Sequence, residues 1–109
     1  MNQIKLSVVI PAYNEETNIR LGVLEKVARF LERRPYSWQV FVVDDGSTDQ
    51  TLQLLEEFIH SNKGFTLIHN PHQGKAATVI AGMRKAVGEV VLFTDLDQAT
   101  PISEVEKMM

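Results

Sequence analysis

The sequence predicts an α/β fold, a Rossmann-like three-layer α/β/α arrangement around a mostly parallel sheet. Four short runs are nearly continuous in apolar, largely β-branched residues, as strands buried on both faces require. Three segments of helical spacing alternate with them, and strand–helix alternation implies parallel strands joined by crossovers. The 109 residues contain no cysteine, so one core must hold without disulfides, and thiolate metal ligands are excluded. No internal repeat, low-complexity tract or linker divides the chain, and the expectation is a single domain over 1–109.

Residues 5–10 form the first strand. A helix over 16–33 follows, with Ile19, Val23, Leu24, Val27, Phe30 and Leu31 on one apolar stripe and Asn14 as its N-cap. Lys26, Arg29, Arg33 and Arg34 gather towards its C-terminal half, where cations suit the macrodipole, and Pro35 stops it. The second strand is 39–44, and Trp38 and Phe41 are expected to pack the sheet. Asp49 caps a second helix that turns Leu52, Leu55, Phe58 and Ile59 inward and ends over 62–64. The third strand is 65–69. A third helix begins near Lys75, turns Ala76, Val79, Ile80 and Met83 inward and stops at Gly88. The fourth strand is 90–94, after which a turn at Pro101 and a helix opening at Ser103, with Glu106 three residues on, are expected.

The formal charge of -3 and pI near 5.5 provide no basic field, so nucleic acid is not an expected partner. The apolar run 6–10 is too short for a signal-peptide core or a membrane span. A cytoplasmic location is expected, with any membrane contact made by parts outside this sequence.

Right-handed crossovers place the C-terminal ends of all four strands along one edge, where open parallel sheets bind ligands. Three strands end there in polar clusters: Pro11-Ala12-Tyr13-Asn14-Glu15, Asp44-Asp45-Gly46-Ser47-Thr48-Asp49 and Asp95-Leu96-Asp97. Two carboxylates one residue apart suit a hard cation such as Mg2+ or Mn2+, which sits between carboxylates and substrate phosphates. The plainer alternative is that Asp95 and Asp97 cap a strand end and a turn. Asp44 or Asp45 can accept from a ribose hydroxyl or a base N–H, or Asp-Asp-Gly can be a simple turn. Tyr13 can flank a nucleobase where Pro11 fixes the opening backbone, while Asn14 and Glu15 can be cap and first-turn acid.

Gln73-Gly74-Lys75 precedes the third helix, so its N–H groups and the lysine can meet an anion. It is no P-loop, because His69 stands at the first glycine position and Ala76 replaces Ser or Thr. The glycine-rich dinucleotide fingerprint is also missing. His60, His69 and His72 lack the spacing of a zinc pair, and none is expected to be a metal ligand.

Taken together, Val9-Ile10-Pro11-Ala12-Tyr13-Asn14-Glu15, Val43-Asp44-Asp45-Gly46-Ser47-Thr48-Asp49-Gln50-Thr51, Gly74-Lys75 and Asp95-Leu96-Asp97 resemble glycosyltransferase family 2. The match covers nearly the whole chain in the family's order. The stretch Phe93-Thr94-Asp95-Leu96-Asp97-Gln98-Ala99-Thr100 is most similar to transferases that load glucose onto dolichyl or other polyprenyl phosphates, although Leu96 and Gln98 depart from the usual alanine and glycine. The resemblance implies the GT-A nucleotide-binding half, with strand order 3-2-1-4. It implies that Pro11, Ala12, Tyr13 and Glu15 line the nucleotide pocket, Asp44 meets base or ribose and Asp95 lies beside the sugar diphosphate. Asp97, with Asp95, would hold Mg2+ or Mn2+, and Lys75 either contacts the nucleotide or shapes its loop.

The implied reaction inverts the anomeric carbon as an acceptor oxygen displaces a nucleoside diphosphate. The donor would be a nucleotide-diphosphate sugar, a UDP-sugar ahead of a GDP-sugar, and the acceptor a polyprenyl phosphate. The general base is expected beyond residue 109, so this chain should bind donor without completing transfer. A nucleotidyltransferase and a Mg2+-binding, receiver-like signalling module are the other readings. The first lacks its glycine-rich first loop here, and the second gathers acids after strands one and three rather than two and four.

Overall fold

The structure, a computed structural model, describes residues 3–96. Asp97 and the expectations at Pro101, Ser103 and Glu106 lie outside the described residues. The first strand, β1 (Leu6–Ala12), is buried at every residue because it lies between two parallel neighbours, β2 (Trp38–Asp45) and β4 (Val90–Phe93). β3 (Phe65–Asn70) pairs with the far side of β2, giving the order β3-β2-β1-β4, parallel throughout. The connections are α1 (Glu16–Arg20) and α2 (Val23–Glu32), then α3 (Thr51–Ser61), then α4 (Lys75–Lys85).

The pleat sorts the two sheet faces by residue parity. Leu6, Val8, Ile10, Val40 and Val42 face one side and form the main core with Leu24, Val27 and Leu31 of α2 and Leu55 and Phe58 of α3. Val9 and Val43 face the other side, under α4. The same alternation sends Asp44 and Asp45, consecutive at the end of β2, to opposite faces.

β1 runs two residues further than the sequence suggests, through Pro11 and Ala12. Val9 O accepts the last bond from the fourth-strand side, from Thr94 N at 3.1 Å, and the β1–β4 ladder ends at that level. The N–H that Pro11 lacks would fall two residues on, on the same side, where no ladder partner stands among the described residues, so proline removes no ladder bond there.

The helix expected over 16–33 is two helices. Gly22 adopts φ 88, which breaks the run between α1 and α2, and its N–H bonds back to Ile19 O at 3.1 Å. The apolar stripe survives the break, with Ile19, Val23, Leu24, Val27 and Leu31 buried and Phe30 packed at the margin. Asn14 is not the N-cap: it has φ 51, and Glu15 takes the cap position without a side-chain cap bond. Asn14 Oδ1 instead accepts from Thr48 N at 2.8 Å, and Asn14 N donates to Ser47 Oγ at 3.0 Å. These bonds tie the loop after β1 to the loop after β2.

The inward face of α4 also differs from the expectation. Thr78 and Gly82 are buried there, whereas Ala76 is exposed and Ile80 and Met83 are 49% and 46% exposed. The helix lies so close to the sheet that a Cβ on Gly82 would stand 2.3 Å from Val9 Cγ1 and 3.2 Å from Val43 Cγ2. Only the smallest residues fit between such surfaces, and a periodicity argument weighted by hydrophobicity selects the wrong side of the helix.

Candidate functional site

The C-terminal ends of the strands meet in a cleft of about 250 Å³. Pro11, Ala12, Tyr13 and Glu15 line it from the end of β1, Asp45 from β2, His72, Gly74, Lys75 and Thr78 from the start of α4, and Asp95 from the residue pair after β4. Six of the residues singled out in the sequence, Pro11, Ala12, Tyr13, Glu15, Lys75 and Asp95, are thus brought to one cavity. Asp44 is not among its lining residues, and Asp97 lies outside the described residues.

Asp44 is 0% exposed. Its Oδ2 accepts from Ser47 N at 3.3 Å and stands 2.9 Å from His69 Nδ1, whereas Oδ1 is buried without a hydrogen-bond partner among the described residues. A buried carboxylate oxygen left unpaired is costly and marks an acceptor with unused capacity.

Asp45, 3% exposed, anchors the opposite wall. It accepts from Gln73 N at 2.8 Å through Oδ1 and from Gly74 N at 3.1 Å through Oδ2, and Oδ2 also lies 2.8 Å from His72 Nδ1. Burial pushes its carboxyl up, but the Gln73 and Gly74 N–H bonds, with Thr78 and His72 nearby, outweigh that and hold it below its ordinary value. The carboxylate fastens the loop before α4 to the end of β2. Gly46 makes the close approach possible: it has φ 70, and a Cβ there would lie 2.6 Å from His72 N.

Asp49 is likewise held below its ordinary value, burial being outweighed by bonds from the Thr51 hydroxyl and main chain. It acts at the start of α3, where Thr51 N donates to its Oδ1 at 2.8 Å, although Gln50 occupies the formal cap position. Thr51 Oγ1 in turn accepts from Glu15 N at 2.8 Å, which fixes the start of the first-strand loop.

Two contacts cross the cleft mouth. Lys75 Nζ pairs with Asp95 Oδ1 at 2.8 Å, joining the first residue of α4 to the end of β4. Tyr13 stacks on His72 with ring centroids 4.3 Å apart and planes 25° from parallel. His72 was not a site residue on the sequence reading; its position two residues before Gly74 was the available signal, since that loop opens onto the helix N-terminus.

The cleft chemistry fits an oxygen-preferring divalent cation better than zinc, since its acids are carboxylates and the chain has no cysteine. Among the described residues no group of three or more His, Cys, Asp or Glu could hold a metal ion. Asp95, two residues before Asp97 in the sequence, is one of the cleft carboxylates, and one of its oxygens engages Lys75.

A parallel sheet of this order, with acids and a helix N-terminus gathered at its C-terminal edge, defines an open α/β domain whose candidate site lies where such sheets hold ligands. The model of glycosyl transferase family 2 matches residues 7–109, and the chain belongs to that family. It is 37% identical, over 98% of its length and 36% of the relative's, to a dolichyl-phosphate beta-glucosyltransferase of Trichomonas vaginalis. Among solved structures, S. aureus TarS in complex with UDP-GlcNAc is 30% identical with a TM-score of 0.71, over 96% of this chain and 30% of that one. The mannosyltransferase PcManGT from Pyrobaculum calidifontis, in complex with GDP-Man and Mn2+, is 29% identical with a TM-score of 0.70, over 89% of this chain and 28% of that one. The chain spans about a third of the length of the curated relatives it matches.

Proposed function

We propose that this chain is the donor-binding part of an inverting glycosyltransferase, which moves a hexose from a nucleotide-diphosphate sugar to a polyprenyl phosphate. The observation that carries the reading is one cleft lined by Tyr13, Glu15, Asp45, Lys75 and Asp95, drawn from four separate chain segments. Membership of glycosyl transferase family 2 supports it, as do the UDP-GlcNAc and GDP-Man complexes of the two structural neighbours. The dolichyl-phosphate acceptor in the name of the Trichomonas vaginalis relative supports the choice of acceptor.

In this reading Pro11, Ala12 and Tyr13 cradle the nucleoside, and Asp44, which does not line the cleft, is the acid assigned to base or ribose on the strength of its Oδ1, unpaired among the described residues. Glu15 lines the same pocket. The N-terminus of α4 and Lys75 face the diphosphate, where main-chain N–H groups and a cation suit an anion. Asp95 and Asp97 would hold Mg2+ or Mn2+, which would supply the positive charge that a departing diphosphate needs. A phosphate acceptor is already anionic and needs little base assistance. The general base for a hydroxyl acceptor, and the membrane contact of the whole protein on its cytoplasmic side, are assigned to parts beyond this chain. Among the described residues no helix is long and apolar enough to cross a membrane.

Calorimetry of the chain with UDP-glucose and with GDP-mannose, each with and without Mn2+, tests the reading. Saturable binding that strengthens with Mn2+ and weakens roughly tenfold or more in Asp95→Ala is expected, given the strength of contacts to charged groups. Absence of binding with and without metal would refute it, as would an Asp95→Ala variant indistinguishable from the parent.

A further inference from the structure

His72 belongs to no part of the donor assignment above, yet its surroundings are organised. Its Nδ1 stands 2.8 Å from Asp45 Oδ2 and 3.2 Å from the Asp45 main-chain oxygen. Both neighbours are acceptors, so Nδ1 carries a hydrogen and donates. That fixes the neutral tautomer, with Nε2 as the second ring nitrogen. Both contacts of the ring to Asp45 run through Nδ1.

The ring is also held in place. Tyr13 covers one face at 4.3 Å, and the carboxylate to which it donates is pinned by Gln73 N and Gly74 N. Even so, the side chain is more than half exposed and lines the cleft beside Gly74 and Lys75. A histidine anchored through one nitrogen to a buried carboxylate, in a cleft that also holds a helix N-terminus and a lysine, is arranged to meet an anion.

We propose that His72 is a proton-linked contact for the donor's diphosphate, binding it as the imidazolium with Asp45 as its counter-charge. This rests on the donor-site reading and adds to it a residue and a regulation. The charged groups around the ring are Asp45 from β2, Lys75 from α4, Glu15 from the loop after β1 and Asp95 after β4, with the Tyr13 hydroxyl on the stacked ring. Of these side-chain types, only histidine changes charge by its ordinary chemistry across the neutral range. His69 is the other histidine near the strand ends, and it engages Asp44 instead.

The cationic ring attracts the diphosphate, so donor affinity is highest at the acidic end of the neutral range and falls as pH rises and the ring loses its proton. Binding therefore takes up a proton.

The test is calorimetry of the chain with UDP-glucose and Mn2+ between about pH 6 and pH 8, in buffers of different ionisation enthalpy, for the parent, His72→Asn and His69→Asn. UDP-glucose is the suitable probe because its diphosphate is esterified at both ends and does not titrate in this window. The parent should lose roughly tenfold in affinity across the range and show proton uptake, as one charge-assisted contact disappears. His72→Asn should bind about as the parent does at the alkaline end, with a flat profile and no proton uptake, and His69→Asn should keep the parent's slope. Binding by the parent with a flat profile, or a slope retained in His72→Asn, would overturn the role of His72 while leaving the donor site standing. Absence of binding in every variant at every pH would sink both.

Discussion

Replacing Asp45 by asparagine should loosen the wall on which the cleft depends. The side chain is 3% exposed and its two oxygens take Gln73 N at 2.8 Å, Gly74 N at 3.1 Å and His72 Nδ1 at 2.8 Å. An amide of the same shape keeps one acceptor oxygen and turns an NH2 towards N–H donors. With the amide oxygen at the Oδ2 position the Gln73 contact is lost and the other two lose their charge assistance, so the expected destabilisation is about 1.5–3 kcal/mol. No solvent-screening discount applies, because the carboxylate is buried. Urea denaturation followed by circular dichroism reads the loss as a lower midpoint. Amide exchange should locate it at Gln73, Gly74 and the first turn of α4, with the β1–β2 ladder protected until global unfolding. A variant within about 0.5 kcal/mol of the parent, the usual range for inert surface changes, would refute the anchoring role.

Gly82→Ala should destabilise by about 1–2 kcal/mol, reversing the gain of up to about 1 kcal/mol that alanine brings in an open helix interior. The added methyl meets Val9 Cγ1 at 2.3 Å, so Val9→Ala in the same chain should recover much of the loss in thermal melts. Acid should destabilise in a defined window. Asp45 and Asp49 both lie below their ordinary value of 3.8, so the folded state binds fewer protons there than the unfolded one. Their contribution is complete above that value and is lost as pH falls through it towards the folded values, and Asp49→Asn should flatten part of the fall in unfolding free energy measured against pH.

The parallel sheet was legible because strands buried on both faces leave continuous apolar runs at Val8, Val9 and Ile10 and at Val40, Phe41, Val42 and Val43. Its helices were legible where large side chains do the packing, as at Leu24, Val27 and Leu31. They were not legible at α4, where close approach selects Thr78 and Gly82, nor at Gly22, which the apolar stripe spans without interruption although its φ of 88 ends a helix. The cleft followed from polar clusters at strand ends, since strand direction alone brings those ends together. The separate fates of Asp44 and Asp45 depend on a pleat phase that a boundary uncertain by one residue leaves open. The Tyr13–His72 stack and the Lys75–Asp95 pair join residues far apart in sequence, and residue types alone carry no distance between them.

The shared cleft is tested most directly by the position of a bound nucleotide. Crystals of the chain grown with UDP-glucose and Mn2+ should place the uridine against Pro11, Ala12 and Tyr13, the diphosphate beside Lys75 and the N-terminus of α4, and the metal on Asp95. A nucleotide bound away from the C-terminal ends of the strands, or bound there with Asp95 still paired to Lys75 and no metal beside it, would contradict the account.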